Sequence, residues 1–227
     1  MKKKLGFLII VCSLGILFPL ITDAQRILGG ISVGMNLTQL DGDEYYGFHK
    51  IGLNAGPMVI LPFGKNKKWS VSMELLYSQK GSHHGGNTDS TTYNFKLDYL
   101  EIPVLVHFTD KKIISGGVGF SYGQLVNQKE TFNNQPIDTS YYVQPITGLS
   151  KSDISVIADL QIRLWNRLWA NLRYQYTIVS LREVQVTDPT NRANTWTRNQ
   201  FNNVITIRLT WVFNQEVPGK IRKKTEE

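Results

Sequence analysis

The chain has 227 residues, of which 41% are hydrophobic and 19% charged, a formal net charge of +7 and one cysteine. That length suits one domain of barrel or sandwich size and leaves little room for a second. The cations are dispersed rather than clustered with stacking aromatics, which argues against a nucleic-acid partner, and Cys12 lies in a segment expected to be removed, so the remainder has no thiol chemistry.

The first residues read Met1-Lys2-Lys3-Lys4, then an apolar run over 5–21, then Thr22-Asp23-Ala24 before Gln25. A charged region, a hydrophobic region and a small-residue cleavage site make a secretory signal peptide over 1–24. The run barely reaches membrane-spanning length and contains Gly15 and Pro19, which speaks against an anchor. The leader carries Lys2, Lys3, Lys4 and Asp23, so the mature chain retains a formal charge of +5.

Past Arg26 the pattern alternates apolar and polar with period two, the signature of strands with two unlike faces. Residues 30–38 put Ile31, Val33, Met35 and Leu37 on one face and mostly Gly, Ser and Asn on the other. A strand over 51–63 follows, then one over 69–80 with Trp69, Val71, Met73, Leu75 and Tyr77 opposite Ser70, Ser72, Glu74, Ser78 and Lys80. The stretch 93–108 groups Leu100, Ile102, Val104, Val106 and Phe108 but changes phase near Tyr99, where a β-bulge would reconcile its halves. After a strand over 113–125, residues 153–165 set Ile154, Val156, Ala158, Leu160, Ile162 and Leu164 against Asp153, Ser155, Asp159, Gln161 and Arg163. Residues 168–181 alternate Leu172, Tyr174 and Tyr176 with Arg173, Gln175 and Thr177, and the last strand, 201–213, alternates Ile205, Ile207, Leu209 and Trp211 with Val204, Thr206, Arg208 and Thr210.

Eight strands result. The links at 64–67, 109–111 and 166–167 are short, whereas those at 39–50, 81–92, 126–152 and 182–200 are long and rich in turn formers. Transmembrane barrels have this asymmetry, with short periplasmic turns and longer external loops. The expected fold is all-β: a single antiparallel up-and-down transmembrane β-barrel over 25–213, followed by a basic periplasmic tail over 214–227.

A soluble lipocalin-like barrel has the same strand count with its apolar face inward, so orientation decides the class. Small residues crowd the polar face: Gly30, Ser32, Gly34, Gly52 and Gly56, then Ser115, Gly117, Gly119, Ser121 and Gly123. Facing them, Glu74, Glu101 and Asp159 match Arg163, Arg173 and Arg208 in number, and such a balance is what a sealed lumen needs, because buried ions must be paired. Aromatics point the same way, with Phe63, Trp69, Phe108, Trp211 and Phe213 expected as a belt at the short-turn end and Tyr77, Phe95, Tyr122, Tyr176 and Phe201 as a belt at the long-loop end.

The stretches Gly30-Ile31-Ser32-Val33-Gly34-Met35-Asn36, Glu74-Leu75-Leu76-Tyr77-Ser78-Gln79-Lys80-Gly81 and Asp98-Tyr99-Leu100-Glu101-Ile102-Pro103-Val104 resemble the small outer-membrane β-barrel proteins of Bacteroidota often labelled porin-family or PorT-family. The resemblance implies an integral protein of the cell outer membrane, bathed in its lipid. The final strand also looks like the aromatic-ended segment read by the barrel-insertion machinery, although here the chain continues past Phe213. The secretion role attached to some members is not carried over.

No phosphate loop, nucleophile elbow or zinc spacing appears. His83-His84 with Asp89 fits a mobile external loop better than a metal site, and Asp41-Gly42-Asp43-Glu44 lacks EF-hand spacing. Glu74, Glu101 and His107 would share the lumen, and a structural salt-bridge network explains the carboxylates without catalysis. The expectation is a non-enzymatic scaffold, binding protein or narrow pore with a plugged lumen, using no cofactor or metal and meeting protein partners through its external loops. An outer-membrane enzyme with a rim active site and a soluble lipocalin-like binder are the alternatives.

Overall fold

The computed structural model describes residues 27–43, 47–64, 66–85, 93–132, 135–136, 143–187 and 193–215. The expected leader and all but the first two residues of the expected tail lie outside that set. Period-two sequence produces strands throughout: β1 (Leu28–Asp41), β2 (Lys50–Phe63), β3 (Trp69–Glu74), β4 (Leu76–His84), β5 (Tyr93–Asp110) and β6 (Ile114–Phe132) come first. Two short pieces follow, β7 (Gln135–Pro136) and β8 (Val143–Pro145), and then β9 (Ser152–Trp165), β10 (Leu168–Thr177), β11 (Arg182–Thr187) and β12 (Thr195–Val212).

Every pairing is antiparallel, and β1 pairs with both β2 and β12, so the sheet closes on itself. Going round, the order is β1, β2, β3 with β4, β5, β6, β9, β10 and β12, a ring of eight strands with β3 and β4 counted as one. Closure leaves no unpaired edge in the wall, which is the condition for crossing a bilayer with strands. The split between β3 and β4 at Leu75 has a local cause. Leu75 donates its N–H to the Pro57 carbonyl at 3.0 Å, and Pro57 has no N–H to return. Register is unbroken across the gap, since Met58 pairs with Glu74 and Ala55 with Tyr77.

The apolar face points outward. Leu172, Ile207 and Leu209 are 50%, 51% and 46% exposed, whereas their neighbours Arg173 and Arg208 are 1% and 2% exposed. A soluble barrel would reverse those values, so the lipocalin-like alternative is excluded and the outer face requires hydrocarbon as its solvent. Trp69, Phe108, Trp211 and Phe213 stand outward at the short-turn end, where Trp69 and Phe108 meet edge-on with ring centres 5.0 Å apart. At the opposite end Tyr122 is exposed and Tyr176 stacks on Phe201 at 6.1 Å.

Phe95 does not join that belt, being buried. A register shift does occur at Asp98/Tyr99, but the extra residue is on the partner: Tyr99 pairs with Leu125 and Asp98 with Asn127, leaving Val126 of β6 unopposed. Strand β5 keeps one phase from end to end, with Tyr93, Phe95, Leu97, Tyr99, Glu101, Leu105 and His107 all buried. What changes near Tyr99 is the composition of the interior rather than the direction of the side chains, so apolar residues continue inward where the lumen turns apolar. Beyond its bulge β6 reverses phase, which brings Glu130 inward to Tyr93.

Strands also run further than the alternation indicates. Strands β5, β6 and β12 have 18, 19 and 18 residues, against roughly 9–11 needed to cross a bilayer. Their long-loop ends, with β11 pairing both β12 and β8, form a sheet extension past the barrel wall. The segments expected as irregular loops over 126–152 and 182–200 are therefore partly strand, and so is the start of 81–92, where His83 and His84 pair with Asn94 and Tyr93 at the end of β4 rather than lying in a mobile loop. An arginine placed at Ile207, midway along the outward face of β12, is expected to destabilise the barrel by about 2–4 kcal/mol, read as a lower urea midpoint for refolding into phospholipid vesicles.

Candidate functional site

The lumen is filled in tiers by side chains from alternate positions of the wall. Small residues make the space: a Cβ on Gly34 would run into Arg208, and one on Gly117 into the His107 ring. Each glycine thus clears room beside an inward side chain of the strand it pairs with.

The middle tier centres on Glu74. Arg173 donates to it through Nη1 at 3.2 Å and Nη2 at 2.8 Å, and Arg208 through Nη1 at 2.7 Å and Nη2 at 2.9 Å. One carboxylate thus receives two forked guanidinium pairs, the strongest geometry available to an ion pair. Asp159 supplies the second negative charge, 3.3 Å from Arg173 Nη2. Asn171 ties the group together, donating to Asp159 and accepting Arg208 Nε at 2.8 Å. Two cations and two carboxylates, all buried, leave no net charge in the tier.

Above it, toward the long loops, Lys80 lies between Glu101 at 2.5 Å and Asp153 at 3.0 Å. Asp153 also accepts from Ser155 and Thr177, both at 2.8 Å, and from Asn202 at 2.9 Å, while Gln175 donates to Glu101 at 3.2 Å. The ammonium of Lys80 lies 5.2 Å from the centre of the Tyr99 ring. Higher still the lumen is apolar, with Leu40, Tyr93, Phe95, Leu97, Tyr99 and Leu181 in one buried cluster. Arg182 closes this end by a forked pair to Glu130, both contacts at 2.9 Å, with its guanidinium 4.5 Å from the Phe95 ring centre.

The expected lumenal residues are thus divided by the structure. Glu74, Asp159, Arg173 and Arg208 meet in one tier, Glu101 sits in the next with Lys80, and Arg163 joins neither. Arg163 stacks on Trp169, 4.6 Å from the ring centre, at the short-turn mouth. There a cavity of about 400 Å³ opens between the short turns. His107 bonds Ser72 at 2.9 Å rather than the carboxylates above it. Lys80 and Asp153, which the sequence reading left out of the network, occupy inward positions of the same alternation, so the period was the signal for them. Arg182 and Glu130 lay in stretches read as loops and carried no such signal. Among the described residues no group of three or more His, Cys, Asp or Glu could hold a metal ion, and Asp89 lies outside those residues.

A closed eight-stranded ring with an apolar exterior, aromatics at both ends and ion pairs in a sealed interior is a transmembrane β-barrel. Residues 23–183 match the family described as outer membrane protein beta-barrel domain, and the chain belongs to that family and to the outer membrane. No curated protein matches the chain. Among solved structures it is similar to Ail, the attachment invasion locus protein of Yersinia pestis, with 13% identity, a TM-score of 0.46, and coverage of 82% of this chain and 98% of that one. It is also similar to OprG of Pseudomonas aeruginosa, at 13% identity, a TM-score of 0.39 and coverage of 83% and 95%. A third is Neisserial surface protein A, at 8% identity, a TM-score of 0.40 and coverage of 82% and 96%.

Replacing Glu74 by Gln leaves buried Arg208 without a carboxylate and Arg173 with Asp159 alone, and is expected to cost about 3–5 kcal/mol. Asp159→Asn, which leaves both forks on Glu74 intact, should cost less. Urea titration of the two variants in the same vesicles, alongside the unsubstituted protein, reads the difference.

Proposed function

We propose that this outer-membrane barrel is a non-conducting, non-enzymatic scaffold whose long-loop end presents a binding surface to partners outside the cell. The observation that carries this reading is the closure of the bore. From the Glu74 tier through Lys80 to the apolar cluster beneath Arg182, successive layers of buried side chains occupy the lumen. Eight strands leave an interior only wide enough for side chains. The strand material beyond the wall is concentrated at one end, in β5, β6, β8, β11 and β12, which is where a rigid platform for external contacts would be built.

In this orientation the short turns and the tail face the periplasm, and the leader is removed after Ala24 during export. The aromatic-ended final strand serves as the signal for the barrel-insertion machinery from an internal position. The likeness to Bacteroidota porin-family and PorT-family barrels in the three quoted stretches supports the same assignment. The carboxylates of the interior support structural use rather than catalysis: Glu74, Glu101, Asp153 and Asp159 each have a cation or an amide on them.

Purified protein in planar bilayers is expected to show no large steady conductance, whereas Glu74→Ala combined with Arg208→Ala, which empties part of the middle tier, should raise the frequency of openings. A large steady conductance from the unsubstituted protein would overturn the closed-bore reading. Turnover of lipopolysaccharide, phospholipid or peptide by the purified barrel would favour the enzyme reading instead.

A further inference from the structure

The cavity at the short-turn mouth is not needed for closing the bore. Its floor is near Ser72 and His107, below the Glu74 tier, and its rim includes Lys67, Lys112 and Gln215. Among the described residues that line it, five are cationic, Lys67, Lys68, Lys111, Lys112 and Arg163, and none is acidic. Only Lys68 leans toward an acid, the exposed Asp110 at 3.9 Å.

Arg163 is the telling residue. Its Nε and Nη1 are buried and make no hydrogen bond. The other inward cations named above each meet a carboxylate: Arg173 and Arg208 at Glu74, Lys80 at Glu101 and Asp153, Arg182 at Glu130. A desolvated guanidinium edge without an acceptor is costly. The Trp169 ring beneath Arg163 orients the guanidinium plane, and Trp169 is itself held by its Nε1 donating to Gln215 Oε1 at 3.0 Å. Nε and Nη1 lie on different edges of the guanidinium, and each of these two N–H donors would take an oxyanion oxygen in a charge-assisted hydrogen bond. His107, whose buried and unbonded Nδ1 lies beside Gly117, lines the same space, as do Ser70 and Ser115. Met58, Trp169 and Val212 supply apolar lining beside these groups.

We propose that this mouth is a binding site for a phosphate or carboxylate group carried on a small apolar body, with Arg163 holding the anion and Trp169, Met58 and Val212 receiving the body. The site is separate from the long-loop platform and does not depend on it. Lys67, Lys111 and Lys112 at the rim draw the anion in, and the Glu74 tier stops it from passing further.

The test uses the purified protein in an uncharged detergent. Phenyl phosphate and inorganic phosphate are titrated and read by phosphorus NMR line broadening, with benzyl alcohol as the uncharged control read by saturation transfer. Phenyl phosphate is expected to bind saturably, more tightly than inorganic phosphate and far more tightly than benzyl alcohol. Arg163→Gln should weaken it by about tenfold, the loss of one charged hydrogen-bonding group. The double variant Lys67→Gln/Lys112→Gln, confined to exposed turns, should weaken it roughly twofold to threefold and carries the test if Arg163→Gln does not fold. Lys129→Gln, at the other end of the barrel, should leave it unchanged.

Competition then separates the sources of the phosphate. Displacement of phenyl phosphate by lysophosphatidic acid but not by lysophosphatidylcholine assigns the site to a lipid headgroup, and displacement by neither assigns it to a soluble phosphate; both support the site. Equal displacement by the two lipids, saturation absent for phenyl phosphate, or unchanged affinity in Arg163→Gln and the lysine double variant would overturn it.

Discussion

The structure depends on a charged side chain having nowhere to go but another charged side chain. In a closed ring of strands, each residue faces either hydrocarbon or the bore, and a bore of eight strands is too narrow to hold bulk water. Arg173 and Arg208 on neighbouring strands both turn inward because the outward positions between them, Leu172, Ile207 and Leu209, belong to the lipid face. Once inside, they require acceptors, and Glu74, reaching from the far side of the barrel, accepts from both. A salt bridge of this kind adds little net stability over a packed apolar core, but breaking it strands an uncompensated ion. Its consequence is specificity: slipping β12 against β10 by one residue would send Arg208 into lipid.

Filling the bore with long side chains imposes a second requirement, that neighbouring strands give up volume. The glycines and serines of β1, β2 and β6 meet it. Gly34 lies against Arg208 where β1 and β12 pair, and Gly117 against the His107 ring where β5 and β6 pair. The wall is therefore asymmetric, with bulky inward residues on one arc and small ones on another. The exterior shows no such division, because lipid accommodates side chains of any size.

Much of this architecture was legible from the sequence because one constraint acts on every wall residue. The alternation places Arg173, Arg208, Asp159 and Glu74 on the inward face, and the alternating lengths of the links order the strands. Two features escaped for physical reasons. The stretch near Tyr99 reads as a reversal of phase only if the lumen is polar throughout; in the structure the lumen becomes apolar at Leu97 and Phe95, and the bulge belongs to β6 at Val126. The strand extensions past the wall carry little pattern: in β11 only Val184 and Val186 mark an apolar buried face, a stretch too short to stand out, and the first five residues of β12 are exposed on both faces. Arg163 is a third case, since inward direction alone does not say at which level a side chain lies or which acceptors reach it.

The level of a residue along the axis matters as much as its face. The interior passes from a cation-lined cavity without acids, through a tier of two arginines and two carboxylates, to one lysine between two carboxylates, and then to an apolar cluster. The lysines at the open mouth are exposed and tolerate imbalance, whereas the middle tier is buried and its charges match. The apolar cluster lies under the long-loop extension and is capped by the forked Arg182–Glu130 pair. The two ends therefore differ in kind: one is sealed by packing beneath a protein platform, and the other ends in a cavity with Ser72 and His107 at its floor, below the Glu74 tier. At the short-turn end Arg163 lines the cavity, below the network that holds the barrel together.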